Sequence, residues 1–338
     1  MSTADPSPVL DLIEAFRRSK AMFTAVSHGL IHRLEGAGGT PNELAQTLHL
    51  DENALLRLMD GCVGLGLLAK RGDRYFNTAP ASEFLRLDSP ATLAGYILYS
   101  DRMLFPMWGQ LEAAVKEGTN RWQPVFGGKG ALFDHYFRTP ESRATFLSGM
   151  HGMGLLSSPE VVRVFNLNRF RQLVDLGGGT GHLAIAACER YGNLHGTVFD
   201  LPDVIEHARP HIAASPAAAR LSVQSGDFFS DPLPPADLYA VGRILHDWSE
   251  DRIRTLLAKI HAALPPGGAL LVAESVLDED GAGPVSTLMQ SINMLVCTEG
   301  RERTESEYRQ LLEAAGFSSV ECRRTGAPLD AVLAFRKE

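Results

Sequence analysis

The stretch "LVDLGGGTGHLAIA", Leu173 to Ala186, places four glycines in five positions directly after an apolar run. It restricts the fold more than any other segment. Glycine lacks a Cβ, so the chain can turn sharply there and lie against a ligand. A glycine loop between a strand and a helix points to a nucleotide-like ligand at the helix N-terminus. The dinucleotide pattern G-x-G-x-x-G, started at Gly177, needs a glycine at 182, where this chain has His182. The loop reads G-x-G-x-G instead.

After Phe165, apolar β-branched runs alternate with helical segments. The pattern predicts strands at 173–176, 197–199, 221–223, 238–241 and 270–273, and helices at 182–190, 204–212, 251–263 and 287–296. Such alternation means an α/β, Rossmann-like parallel sheet with helices on both faces. "SVECRRT" and "AVLAFRK" predict an antiparallel hairpin closing one edge. Ligands of such sheets bind beyond the carboxyl ends of the strands.

The charges at those ends select the cofactor. Asp175 stands two residues before Gly177, where a pyrophosphate would be repelled. S-adenosylmethionine carries an ammonium and a sulfonium, and a unit-charge pair ~4 Å apart at an effective ε of ~20 interacts by roughly 4 kcal/mol. Asp200 closes the second strand and can accept both ribose hydroxyls. In "SGDFF", Gly226 precedes Asp227, which can accept from an adenine amino group, with Phe228 against the ring.

Residues 8 to 160 read as helices. Thr40-Pro41 and Asp51 look like helix starts, and 40–85 has the helix, helix, hairpin order of a winged helix. That fold often binds DNA. Between 40 and 85, however, four basic residues (Arg57, Lys70, Arg71, Arg74) face six acidic ones, too few to neutralise phosphates. With 32 Lys+Arg against 40 Asp+Glu, the net charge of −8 also argues against nucleic acid as a partner. A packing and dimerisation module is the expected reading. No signal-like start and no ~20-residue apolar run appear, so no membrane contact is expected. Cys62, Cys188, Cys297 and Cys322 form no C-x-x-C pair, which fits reduced thiols in the cytoplasm. No metal-ligand spacing appears among the histidines.

"VDLGGGTGH", "FDLPDVIEHA", "GDFFSDPLPPADLYAVGRILHDWSEDR" and "LPPGGALLVAES" resemble the small-molecule S-adenosylmethionine-dependent O-methyltransferases. That family includes the caffeic-acid-type enzymes of plants and bacterial tailoring enzymes. "ESVLDEDGAGPVSTLMQSINMLVCTEGRERT" is most similar to the acetylserotonin (hydroxyindole) branch. The resemblance covers almost the whole chain. It implies a class I methyltransferase sheet behind an all-α, winged-helix front that builds an intertwined homodimer. The domains implied are 1–100 for dimerisation, 101–165 for connecting helices that contribute to the acceptor pocket, and 166–338 for cofactor binding. Carried over by motif, Gly177, Asp200, Asp227, Phe228 and Arg243 line the cofactor site, and Gly179 lies in the same loop.

"GRILHDW" puts His246 and Asp247 just past the fourth strand. Methyl transfer from a sulfonium is an in-line displacement, so the protein must align the reactants and take the acceptor's proton. Alignment supplies up to ~7–11 kcal/mol, and a histidine base typically ~10²–10⁴-fold. The family places a supporting carboxylate in "RERT", here Glu302, and a second at the end of "VAES", here Glu274. No metal is expected to take part. "DRMLFPMWGQ", "SGMHGMGLL" and "LMQSINMLV" cluster methionines and aromatics for an aromatic acceptor. In the acetylserotonin branch, residues matching Asp247 and Asn293 contact the indole. Cys297 replaces a glutamine of that branch, Phe137 a tyrosine and Gly154 a tryptophan. The expected reaction is methylation of a hydroxyl on a small aromatic or heteroaromatic molecule. Methylation of nitrogen or a non-methylating reaction on the same fold is one alternative, and a winged-helix ligand sensor is another.

Overall fold

The computed structural model describes residues 4–127, 137 and 139–337. The chain divides into two compact units between Phe105 and Pro106. Helices of eight residues or more are numbered below, with the strands.

The first unit opens with α1 (Ser7–Ser27). Next, α2 (Pro41–Leu48) begins at a capping box in which Thr40 Oγ1 accepts from Glu43 N and Thr40 N donates to Glu43 Oε2. α3 (Glu52–Gly64) begins at Asp51, whose carboxylate accepts from Ala54 N at 2.8 Å. Two orphan helix ends are thus satisfied by the residues expected to do so. β1 (Leu68–Arg71) and β2 (Arg74–Asn77) follow as an antiparallel hairpin. Ala25, Leu30, Met59, Cys62 and Tyr75 are among the side chains of this unit's core.

In the second unit, α4 (Pro140–Arg163) leads into a seven-stranded sheet. Along the chain come β3 (Gln172–Leu176), α5 (His182–Arg190), β4 (His195–Asp200), α6 (Pro202–Ala214), β5 (Leu221–Ser225) and β6 (Leu238–Gly242). They are followed by α7 (Glu250–Ala263), β7 (Ala269–Glu274), β8 (Val276–Leu277), α8 (Val285–Cys297), β9 (Arg303–Thr304), α9 (Glu305–Ala314), β10 (Phe317–Arg323) and β11 (Asp330–Arg336). The order is β10-β11-β7-β6-β3-β4-β5. β3 to β7 pair in parallel, and β10 and β11 run antiparallel at the edge. α5 spans the residues expected for it, the other expected elements of the parallel sheet are each found one to four residues longer, and the two edge strands begin one or two residues earlier than expected. Apolar runs mark strand centres, whereas ends are set by pairing.

The strand order reverses between β3 and β6, which opens a crevice at their carboxyl ends. β7, the neighbour of β6, is buried along its whole length, so its last residue, Glu274, is a buried carboxylate at the carboxyl end of the sheet. The separate pair β8–β9 was not legible in the sequence, because two-residue strands have no periodicity. Among the described residues no helix is long and apolar enough to cross a membrane.

Candidate active site

β6 ends at Gly242, and Arg243 turns the chain with a left-handed φ of 56°. The turn Leu245–Asp247 then presents His246, 4% exposed, at the carboxyl end of the sheet. Two carboxylates meet its Nδ1, Glu302 Oε1 at 2.7 Å and Glu274 Oε2 at 3.2 Å. Both glutamates are fully buried. Glu274 Oε1 also accepts from the backbone N–H groups of Ile244 and Leu245, at 2.9 and 2.8 Å. One side chain therefore fixes both the imidazole and the turn that carries it.

The short β8–β9 ladder makes this cluster. β8 starts just after Glu274 and β9 just after Glu302, with Val276 opposite Arg303. Behind it, Arg303 is 1% exposed, pairs with Glu250 Oε1 at 2.9 Å, and donates to the carbonyls of Leu245 and Arg301. The loop leading to Glu302 presses on the histidine's own backbone. A Cβ on Gly300 would lie 2.1 Å from the His246 carbonyl oxygen, so only glycine fits there. Arg303 and Gly300 carried no separate sequence signal.

Burial alone would drive the imidazole down, but Glu274, Glu302 and Asp247 outweigh it and raise His246 to about 10. Burial, against the pull of His246, raises Asp247 to about 7, and burial pushes Glu274 up as well. With Nδ1 committed to carboxylates, Nε2 is the nitrogen left for chemistry, and Asp247 Oδ1 lies 3.7 Å from it. His246, Glu274 and Glu302 each bring a donor atom within 4.8 Å of the others. A cation ~2.1 Å from each donor in tetrahedral geometry would hold them about 3.4 Å apart. The 2.7 Å separation of Nδ1 and Glu302 is that of a shared proton.

On the cofactor side, Gly177 adopts φ 67°, and a Cβ there would lie 2.5 Å from Ile244 Cδ1 and 3.2 Å from Phe228 Cε1. Phe228 and the β6 turn thus close on the loop. Asp200 Oδ2 accepts from Gly179 N at 2.8 Å and Oδ1 from Leu201 N at 2.7 Å, leaving one lone pair on each oxygen for hydroxyl donors. Burial, partly offset by those two bonds, raises its carboxyl to about 6. Gly226 is buried, and its N–H donates to the Asp200 carbonyl at 2.9 Å.

One expected ligand group faces elsewhere, and a second is bonded within its own turn. Asp175 is 2% exposed and accepts from Ala184 N at 3.3 Å, so it holds the first turn of α5 from beneath the loop. Asp227 accepts from Phe229 N and the Ser230 hydroxyl, at 2.8 and 3.1 Å, in its own turn. Short acidic side chains close such local bonds readily.

Arg243 offers the opposite case. Its Nε and Nη2 are buried without a hydrogen-bond partner. A buried unpaired guanidinium is costly, and the carboxylate of an amino-acid-bearing cofactor would satisfy it. The glycine cradle, Asp200 and this guanidinium fit S-adenosylmethionine.

On the acceptor side, Asn293 lies in α8, 8% exposed. Its Oδ1 accepts from Trp108 Nε1 at 2.8 Å and from Cys297 Sγ at 3.5 Å. Cys297 is fully buried, and burial together with the nearby Asp247 pushes its thiol up. Phe137 packs edge-on against Phe146, with ring centroids 6.1 Å apart. In the sequence Trp108 stands out only as part of an aromatic cluster, because its partner Asn293 is distant in the chain.

Two family models match the chain, an O-methyltransferase domain over residues 108–318 and an O-methyltransferase dimerisation domain over 10–86. The chain is 40% identical over 332 residues to a human protein described as a probable bifunctional dTTP/UTP pyrophosphatase/methyltransferase. That match takes in 97% of the chain but 54% of the relative, so the chain spans about half that protein's length. It is 41% identical over 326 residues to acetylserotonin O-methyltransferase of Bos taurus, covering 94% of each. The crystal structure of human N-acetylserotonin methyltransferase in complex with S-adenosylmethionine superposes with a TM-score of 0.94 at 36% identity, over 100% of both chains. A buried histidine held by two glutamates, a glycine cradle at the switch point and these matches over nearly the full length agree: the chain belongs to the O-methyltransferase family.

Proposed function

We propose that His246 is the general base in a methyl transfer from S-adenosylmethionine to a hydroxyl of a small aromatic or heteroaromatic acceptor. The observation that carries this is the buried 2.7 Å contact between His246 Nδ1 and Glu302 Oε1. It fixes the ring and turns Nε2 to the acceptor. The cofactor supplies an electrophilic methyl on a sulfonium. His246 takes the acceptor's proton at Nε2, and Glu302 and Glu274 hold the imidazolium that results. A phenol titrates near 10, close to His246 in this cluster, so the proton passes between groups of similar affinity. Bringing a positive cofactor near His246 favours the neutral, basic form of the ring.

Asp200, Gly177, Gly179, Gly226, Phe228 and Arg243 hold the cofactor, while Asp175 supports the loop from behind. Asp227, which keeps a lone pair on each oxygen beyond the bonds of its own turn, joins them. Asp247, Asn293 and Cys297 face the acceptor. Because the indole N–H and the thiol both donate to Asn293 Oδ1, the amide is oriented with its NH₂ as the remaining donor. The acceptor therefore offers a hydrogen-bond acceptor there, as a hydroxyindole such as N-acetylserotonin or a phenolic natural product with a carbonyl does. Residues 1–100 act in homodimerisation, the connecting helices up to 165 wall the acceptor, and 166–338 bind the cofactor. The four free cysteines suit the reducing cytoplasm.

The test is incubation with methyl-labelled S-adenosylmethionine and a panel of phenols, hydroxyindoles and phenazines. An O-methyl ether from at least one hydroxylated ring is expected. Label transfer only to amines, or none together with no S-adenosylhomocysteine binding, overturns the reading.

A further inference from the structure

Gly154, in the middle of α4, leaves a gap that the imidazole of His182 fills. A Cβ on residue 154 would lie 2.3 to 2.5 Å from His182 Cγ, Cδ2 and Nδ1. The ring is also hydrogen-bonded, since His182 Nδ1 lies 2.8 Å from Ser158 Oγ, one turn further along α4. Its neighbour in the glycine loop, Thr180, lies 2.8 Å from His151 Nδ1 of the same helix, and His151 stacks on His211 with centroids 3.8 Å apart. α4 thus grips the glycine loop and the first residue of α5 through two imidazoles.

These contacts decide the tautomer. Ser158 is 2% exposed, so its hydroxyl proton needs an acceptor. His182 Nδ1 is the one acceptor it meets among the described residues. Nδ1 therefore accepts, and the proton of a neutral ring sits on Nε2. Burial, followed by the influence of His151, Arg243 and His211, pushes His182 down to about 3, so the ring is neutral and offers that single N–H. No partner for it is found among the described residues. Arg243, with its own unpartnered Nε and Nη2, immediately precedes Ile244, whose Cδ1 would lie 2.5 Å from a Cβ on Gly177 at the start of the loop, while His182 stands at the loop's end. One neutral donor and one unpaired cation thus flank the glycine loop, a combination that suits a carboxylate.

We propose that His182 Nε2–H, together with Arg243, binds the carboxylate at the amino-acid end of the cofactor. This rests on S-adenosylmethionine being the cofactor and adds His182 to its site. His182 is thereby a binding residue, with Ser158 and Gly154 as positioning residues.

Calorimetry with two ligands tests it: S-adenosylhomocysteine, and 5′-methylthioadenosine, which has the same adenosine and thioether but no amino-acid end. In His182→Phe, which keeps an aromatic ring without the N–H, S-adenosylhomocysteine should bind about tenfold more weakly or worse. Methylthioadenosine should stay within about twofold of wild type. Ser158→Ala, which frees the tautomer, should weaken S-adenosylhomocysteine selectively by a smaller factor, and it carries the test if His182→Phe does not fold. Unchanged S-adenosylhomocysteine affinity in both folded variants overturns the proposal. So does an equal loss for both ligands, which would mark His182 as merely structural. Wild-type protein that binds neither ligand overturns the cofactor reading itself, before any variant is made.

Discussion

His246 sits where three carboxylates converge, and that sets how the enzyme should respond to pH. The base form is the neutral ring, and Glu274, Glu302 and Asp247 raise the residue to about 10. Activity on kcat/KM, which reports the free enzyme, should therefore climb as pH rises above 7 toward 10, rather than levelling off near 6.5. His246→Ala should lower turnover by ~10²–10⁴-fold and abolish that climb, with cofactor affinity by calorimetry nearly unchanged. Near-normal turnover of a simple phenol by the variant would mean that proximity alone does the work. Glu302→Gln removes one of the charges holding the imidazolium. The climb should shift to lower pH while maximal turnover falls by less than in the alanine variant. A pH profile that stays in place would show that Glu302 is not coupled to the base.

The same residues show what a sequence can and cannot reveal. His246, Glu274 and Asp200 were legible because each closes or follows an apolar strand, and a strand end in this architecture has one destination. Where a short side chain then points is settled by the nearest N–H group. Asp227 turns to its own loop and Asp175 to α5, although both stand at the expected places. Trp108 on Asn293 is a contact between residues distant in the chain, and no local pattern records it. If that contact orients the amide, Trp108→Phe should raise KM for carbonyl-bearing acceptors several-fold and leave simple phenols unaffected. Equal changes for both acceptor classes would reduce Trp108 to packing.

Among the elements, the most consequential is one of the smallest. β8 and β9 are two residues each, and their parallel pairing, with Val276 opposite Arg303, brings Glu274 and Glu302 to the same end of the ladder. The loop before β9 reaches that register only because Gly300 lies flat against the His246 backbone. Gly300→Ala should force that loop or the histidine turn to move, since the atoms met are backbone. Shifts of about 1 Å in a catalytic group can cost ~10²-fold in rate. We expect turnover to fall by that order, with cofactor affinity retained and only a modest drop in Tm. A variant with full activity would mean that the loop is free to shift without disturbing Glu302.

At the scale of the whole molecule, α1 poses a question that its own chain does not answer. Val9, Leu12, Ile13 and Phe16 recur at helical spacing on one face, with Leu10 beside them, and each is more than half exposed. Such a stripe on a 21-residue helix is normally covered. From Leu10 onward the segment lies within the match to an O-methyltransferase dimerisation domain, and two-fold dimers are the commonest symmetric assembly. A stable interface buries roughly 800 Å² per partner, more than scattered surface side chains provide and within reach of an apolar helix face. Light scattering should therefore give twice the 36.7 kDa chain mass. Leu12→Glu with Phe16→Glu places two charges in the stripe and should release monomers at micromolar concentration, while S-adenosylhomocysteine binding by the second unit persists. A wild-type protein that is monomeric at those concentrations, or a double variant that stays dimeric, would show that another surface makes the contact.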